Sequence, residues 1–143
     1  TFGEEFGWRG YLQQKLLPMG TRTAMVWMGV IWGVWHWPMI AMGHNYGLDH
    51  LGAPWLGMVM MVWFTFTNGV FLSFVSLRSK SVWPAVICHA AINGIANIGA
   101  LFLINQPNPL LGPLPVGLIG SAAWSALAIW LMVNPRVLAG SDT

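Results

Sequence analysis

Of its 143 residues, 56% are hydrophobic and 7% are charged, against the roughly 25% charged residues of a typical soluble domain. The net charge of +2 is scattered rather than grouped, which gives no indication of a nucleic-acid surface, and the single cysteine excludes an internal disulfide. The length suits one domain, residues 1–143. We expect an all-α, polytopic bundle of membrane helices.

The first segment, residues 2–17, carries no proline until Pro18 and predicts a helix that ends there. Gly3 and Gly7 have the four-residue spacing that allows membrane helices to approach closely. The chain does not begin with Met and opens on a charged segment. We therefore expect this segment to be the end of a buried helix whose upstream neighbours belong to a longer protein.

Four further stretches are apolar over the length of about 20 residues that a spanning helix needs: residues 23–43, 53–76, 82–105 and 114–133. In the first stretch, Pro38 cannot donate a backbone hydrogen bond, which predicts a kink beside His36. In the second, Asn68 is expected to bond to another helix.

Basic residues flank these stretches on one side only, namely Lys15, Arg22, Arg78, Lys80 and Arg136. The positive-inside rule then places residues 15–22, residues 77–81 and the C-terminus in the cytoplasm, with the chain in the cytoplasmic (inner) membrane. At 1.5 Å per helical residue, Glu4, His36 and His89 lie about 16, 21 and 13 Å from the flanking basic residues. Ionisable groups at such depth normally face a bundle interior and carry a function.

The two adjacent acids differ in their surroundings. Glu5 and Arg9 have the i, i+4 spacing of a helical ion pair, for which an ordinary structural salt bridge is the simplest interpretation. Glu4 lies about 100° around the helix from Glu5, so its side chain is not on the side of Arg9. A buried acid in this position suits a general base.

Two histidines supply the other candidate groups. His36 lies between Trp35 and Trp37 and alone could be a packing residue. His89 and Asn93 share one helix face, where they could form an interhelical clamp or donate together to a developing oxyanion. The combination with Glu4 favours a catalytic site.

Weaker candidates are the outer-loop residues His44, Asp49 and His50, which could bind a metal, and Cys88, which we interpret as an inert packing residue.

With these residues the chain resembles the CPBP family of intramembrane proteases, which includes the CAAX prenyl endopeptidases and bacteriocin-processing and immunity relatives. The family has three motifs, Glu-Glu-x-x-x-Arg, Phe-x-x-x-His and His-x-x-x-Asn. They are matched here by Glu4, Glu5 and Arg9, by His36, and by His89 with Asn93. Trp32 replaces the Phe of the second motif, and the helices that precede the first motif in the family are not part of this sequence.

The resemblance implies hydrolysis of a peptide bond in a membrane-associated or lipidated protein substrate within the bilayer. Glu4 and His36 would activate a water, His89 and Asn93 would stabilise the oxyanion, and Arg9 would hold the acids in place, chiefly Glu5. Two versions stay open: a metalloprotease in which Glu4, His36 and His89 bind a divalent metal such as zinc, and a metal-free glutamate mechanism.

Two other functions are compatible with buried acids and histidines in a membrane bundle. One is a transporter or proton relay. The other is a non-catalytic immunity or scaffold protein that keeps the same fold.

Overall fold

The computed structural model describes residues 1–104 and 107–134, and every regular element in these ranges is helical. The first segment is one continuous helix in three parts: α1 (Phe2–Glu5), a π-helical stretch (Phe6–Leu12) and α2 (Gln13–Leu16). A 3₁₀ turn that contains Pro18 follows and ends at Gly20, which confirms the predicted end of this helix. The π-helical stretch was not predicted.

The other helices are α3 (Thr21–Trp35), α4 (Trp37–Ala41), α5 (Trp55–Ser79), α6 (Trp83–Ala100) and α7 (Ala122–Val133). The longest helix, α5, is central, because α3, α4, α6 and α7 all pack against it. Met61 of α5 lies in one core cluster with Ile40 and Ile92, and Val70 lies in a second cluster with Met25.

Two helical stretches are long and apolar enough to cross a membrane, namely Thr21–Ala41 and Trp55–Ser79. The prediction of four full spans is therefore not met within the described residues. The apolar part of α6 is shorter, and the end of the third predicted span, Asn105, lies outside the described residues. The fourth predicted span is helical only from Ala122, because Pro113 and Pro115 lie in a run of turns before it.

Helix α3 approaches α5 closely at two glycines. A Cβ atom added to Gly29 would lie 2.5 Å from Cα of Phe66, and one added to Gly33 would lie 2.6 Å from Cα of Val62. Thr65 reinforces the contact by donating a hydrogen bond of 2.9 Å to the Gly29 carbonyl. Only glycine fits at such a distance, so this pair has the small-residue role of membrane helix interfaces.

The corresponding prediction for Gly3 and Gly7 stays a prediction. A Cβ atom at either position would meet no described atom within 4 Å apart from its chain neighbours and its own helix backbone. The prediction for Asn68 is wrong: its amide is fully buried and neither polar atom has a hydrogen-bond partner among the described residues.

The predicted kink is confirmed. Helix α3 ends at Trp35, and α4 begins at Trp37 with Pro38 in its first turn. Between them the His36 amide donates to the Gly33 carbonyl at 3.1 Å, a three-residue bond that tightens the chain. His36 thus lies at the break between the two helices.

Candidate active site

The polar side chains that the sequence singles out meet around one cavity of about 290 Å³. Glu4 reaches it from α1, and His36 from the break between α3 and α4. His89 and Asn93 reach it from α6. Apolar side chains of α5 and α6 line much of the remaining wall, among them Met61, Phe64 and Ile92.

A buried trio lies behind the cavity. Nη1 of Arg9 donates to Oε1 of Glu5 at 3.0 Å, which confirms the predicted ion pair. The same oxygen lies 2.7 Å from Nδ1 of His89, and because a carboxylate only accepts, the imidazole donates this bond. Glu5 and Arg9 are fully buried and His89 nearly so. Nη2 of Arg9 donates to the Gly69 carbonyl at 3.4 Å, which anchors the trio to α5.

The π-helical stretch places Arg9 within this trio. Its signature is the bond from the Gln13 amide to the Trp8 carbonyl, five residues earlier. Gly7 and Gly10 lie in the stretch, and their low helix propensity reduces the cost of leaving α geometry. Widened turns of this kind often occur at functional sites.

Glu4 has a different environment from its neighbour. Its side chain is 29% exposed and faces the cavity, whereas that of Glu5 is fully buried. Oε2 of Glu4 accepts a hydrogen bond of 3.3 Å from the indole N–H of Trp32. The structure thus separates the two acids, one at the cavity and one behind it.

His36 is held by the backbone that precedes it. Its Nδ1 lies 2.8 Å from the carbonyl oxygen of Trp32, which is an acceptor, so Nδ1 carries the proton. Nε2 is then the nitrogen left for a ligand in the cavity. The ring of Trp35 stands perpendicular to the imidazole, with ring centres 5.0 Å apart, and limits its rotation.

The loop after α4 forms part of the cavity wall. His44 and Asn45 line it. Tyr46 is buried, and its hydroxyl donates to the Val116 carbonyl at 2.9 Å, which ties this loop to the proline-rich one. Burial raises the pKa of Tyr46, so the hydroxyl stays protonated and keeps donating.

The structure does not bring together the outer-loop set suggested as a metal site. Only His44 reaches the cavity; Asp49 is exposed, and His50 contacts the carbonyl of the next residue. Cys88 is half-buried and packs on the cluster that contains Trp32.

A metal site needs three or more donor side chains that converge on one point. Within residues 1–104 and 107–134, no three His, Cys, Asp or Glu side chains are grouped in this way. The predicted ligand set of Glu4, His36 and His89 lines one cavity, but in this arrangement the three side chains are not grouped so that they could hold one ion.

Three features of the site escaped prediction from the sequence. The bond between Glu5 and His89 joins residues 84 positions apart, and no local pattern indicates it. His44 was considered only as a metal ligand of an outer loop, yet it lines the cavity. The sequence singled out Trp32 only as the replacement for the Phe of the second motif; its indole N–H, a group that usually finds an acceptor when buried, is the available signal.

One known protein family matches most of the chain. Residues 1–95 match the family described as type II CAAX prenyl endopeptidase Rce1-like. The chain belongs to this family. The matched range holds all three motifs and every polar residue of the cavity named above. No curated protein and no solved structure matches the chain.

Membership of the Rce1-like family gives the general class of the protein, a membrane-embedded CAAX-type protease that acts on a peptide substrate. The two apolar helices Thr21–Ala41 and Trp55–Ser79 agree with a membrane location. The general prediction of a protease and hydrolase in the membrane is therefore confirmed.

Proposed function

We propose that this chain forms the catalytic domain of an intramembrane endopeptidase that hydrolyses a peptide bond in a membrane-associated or lipidated protein. The observation that carries the proposal is the shared cavity of Glu4, His36, His89 and Asn93. It combines a carboxylate that can take a proton with groups that can donate to an oxyanion. Proteolysis without a covalent intermediate needs both kinds of group.

Glu4 is the proposed general base. Its carboxylate faces the cavity and is not part of the buried ion pair. Oε1 lies 3.8 Å from the N-terminal amino group of Thr1, beyond hydrogen-bond distance, and can accept a proton from a bound water. His36 acts beside it: with Nδ1 bonded to the Trp32 carbonyl, Nε2 can accept a hydrogen bond from the same water. The two groups orient one lone pair of the water oxygen toward the substrate carbonyl carbon.

Asn93 and His89 are the proposed oxyanion donors. The amide of Asn93 is exposed at the cavity and supplies N–H groups. Because Glu5 engages Nδ1 of His89, the contact with the oxyanion falls to Nε2, which donates when the ring carries both protons. The Glu5 carboxylate, which is shared between Arg9 and His89, stabilises the imidazolium, and the oxyanion supplies the second negative charge.

In the first step, the water oxygen bonds to the carbonyl carbon of the substrate while a proton of the water passes to Glu4. The tetrahedral intermediate collapses, the C–N bond breaks, and the proton held by Glu4 passes to the leaving amine. The products are a carboxylate and an amine. The residues that perform these steps need no metal ion.

We further infer the orientation from the basic residues. Lys15, Arg22, Arg78 and Lys80 would face the cytoplasm, and the loop with His44 would face the other side. Arg136, the remaining residue of this set, lies outside the described residues.

The test uses the purified full-length protein in liposomes with a membrane-anchored CAAX-type peptide. Wild-type protein should release a cleaved product identified by mass, and Glu4→Gln and His36→Ala should lose cleavage while keeping the thermal unfolding temperature. Proton flux in the same liposomes distinguishes a proton relay, for which flux would depend on Glu4 without any cleaved product. If the wild-type protein also binds the peptide without cleaving it, the protein is instead a non-catalytic scaffold.

A further inference from the structure

Trp32 contacts the proposed catalytic residues through both its side chain and its backbone. Its indole N–H donates to Oε2 of Glu4 at 3.3 Å. Its carbonyl oxygen accepts the bond from Nδ1 of His36 at 2.8 Å. One residue therefore fixes the carboxylate of α1 relative to the imidazole at the α3–α4 break, although 32 positions separate Glu4 from His36.

The ring of Trp32 contacts the groups behind the cavity as well. The imidazole of His89 meets it edge-on, with ring centres 5.2 Å apart and planes at 71°. The guanidinium carbon of Arg9 lies 4.8 Å from the ring centre, in range of a cation–π contact. The side chain is 1% exposed, so these contacts hold it in one orientation.

The bond to Glu4 requires tryptophan rather than another aromatic residue. Phenylalanine has a similar apolar ring but no N–H group, and the indole of tryptophan is a donor only. The bond is not a general feature of tryptophans in this bundle: the indole N–H groups of Trp8 and Trp63 are buried and have no acceptor among the described residues. The indole of Trp32 is thus specifically matched to the carboxylate.

We propose that Trp32 is a positioning residue that sets the direction of the Glu4 carboxylate through its indole N–H. This inference rests on the proposed role of Glu4 as general base. With Oε2 engaged by the indole, Oε1, which lies 3.8 Å from the N-terminal amino group and makes no hydrogen bond to it, receives the proton of the attacking water. The substrate carbonyl then meets a base whose orientation is fixed before binding.

The test replaces Trp32 by phenylalanine in the full-length protein and measures cleavage of the membrane-anchored peptide. A misdirected base lowers the chemical step, so Trp32→Phe should lower kcat by about 10-fold to 100-fold, with KM within about twofold of wild type. The matched control is Trp63→Phe, which removes an indole N–H without an acceptor and should leave kcat unchanged. Equal kcat values for Trp32→Phe and wild type, with Glu4→Gln inactive, would overturn the inference and leave the proposed function standing.

A second measurement does not depend on activity. In protein labelled with ¹⁵N at tryptophan, Trp32→Phe identifies the Trp32 indole resonance, and Glu4→Gln should move it because the acceptor loses its charge. The Trp63 resonance should stay in place. If the Trp32 resonance also stays in place in Glu4→Gln, the contact does not exist in solution and the inference is wrong, whether or not the protein cleaves a peptide.

Discussion

Oε1 of Glu5 lies 2.7 Å from Nδ1 of His89 and 3.0 Å from Nη1 of Arg9, so one carboxylate oxygen serves two partners. All three side chains lie away from water. This contact joins the first helix of the chain to α6, and it leaves Glu4 as the acid that faces the cavity. The two acids therefore have different roles, one in the stability of the bundle and one at the cavity.

Replacing Glu5 by glutamine should destabilise the fold. The guanidinium of Arg9 would stay buried without a counter-charge, which typically costs about 3 to 5 kcal/mol. Thermal unfolding in detergent should show a clear loss for Glu5→Gln and almost none for the matched variant Glu4→Gln, whose side chain is partly exposed. The double variant Glu5→Gln with Arg9→Gln should recover part of the loss. Equal unfolding temperatures for Glu4→Gln and Glu5→Gln would contradict this difference between the two acids.

Gly33→Ala should weaken the contact between α3 and α5. The new methyl group would lie 2.6 Å from Cα of Val62, and relieving such an overlap costs about 1 to 3 kcal/mol. Gly3→Ala adds the same group where no described atom lies within 4 Å apart from its chain neighbours and its own helix backbone, and it should be neutral or stabilising by up to about 1 kcal/mol through helix propensity. Unfolding of the two variants under identical conditions checks the difference, and an equal effect would show that the glycine contact is not needed.

Asn93→Asp should remove the amide donors at the cavity while keeping the shape of the side chain. Loss of one oxyanion donor lowers kcat by about 100-fold to 1,000-fold, and KM should change much less. Asn108→Asp is the control, because Oδ1 of Asn108 accepts from the amides of Leu110 and Leu111, and a carboxylate keeps that role. If Asn93→Asp retained wild-type kcat, Asn93 would have no part in stabilising the oxyanion.

Chelators should not inhibit cleavage. In the part of the chain that the structure describes, Glu4, His36 and His89 do not converge as a metal-binding group. Peptide cleavage should therefore be the same before and after dialysis against a strong chelator, and elemental analysis should find no stoichiometric zinc. Inhibition by the chelator that added zinc reverses would contradict the metal-free mechanism.

Sequence patterns predicted those parts of the fold and site that depend on neighbouring residues. The ion pair of Glu5 with Arg9 follows from i, i+4 spacing, and the break at His36 follows from the missing N–H of Pro38. The convergence of Glu4 and His36 on one cavity agrees with their comparable predicted depths of about 16 and 21 Å.

The remaining features depend on tertiary packing, which local patterns do not contain. The π-helical stretch changes which side chains Arg9 can reach, and no propensity scale distinguishes it from an α-helix. Gly29 with Gly33 and Gly3 with Gly7 have the same four-residue spacing, but only Gly29 and Gly33 contact α5. Spacing alone therefore does not predict which pair lies at a helix contact.

The most direct test of the account compares the rate of peptide cleavage by wild-type protein and by Glu4→Gln, both shown to unfold at the same temperature. If Glu4 is the general base, the substitution should lower kcat by about 100-fold to 10,000-fold. A Glu4→Gln variant that keeps its stability and cleaves within a few-fold of the wild-type rate would contradict the proposed catalytic role of Glu4.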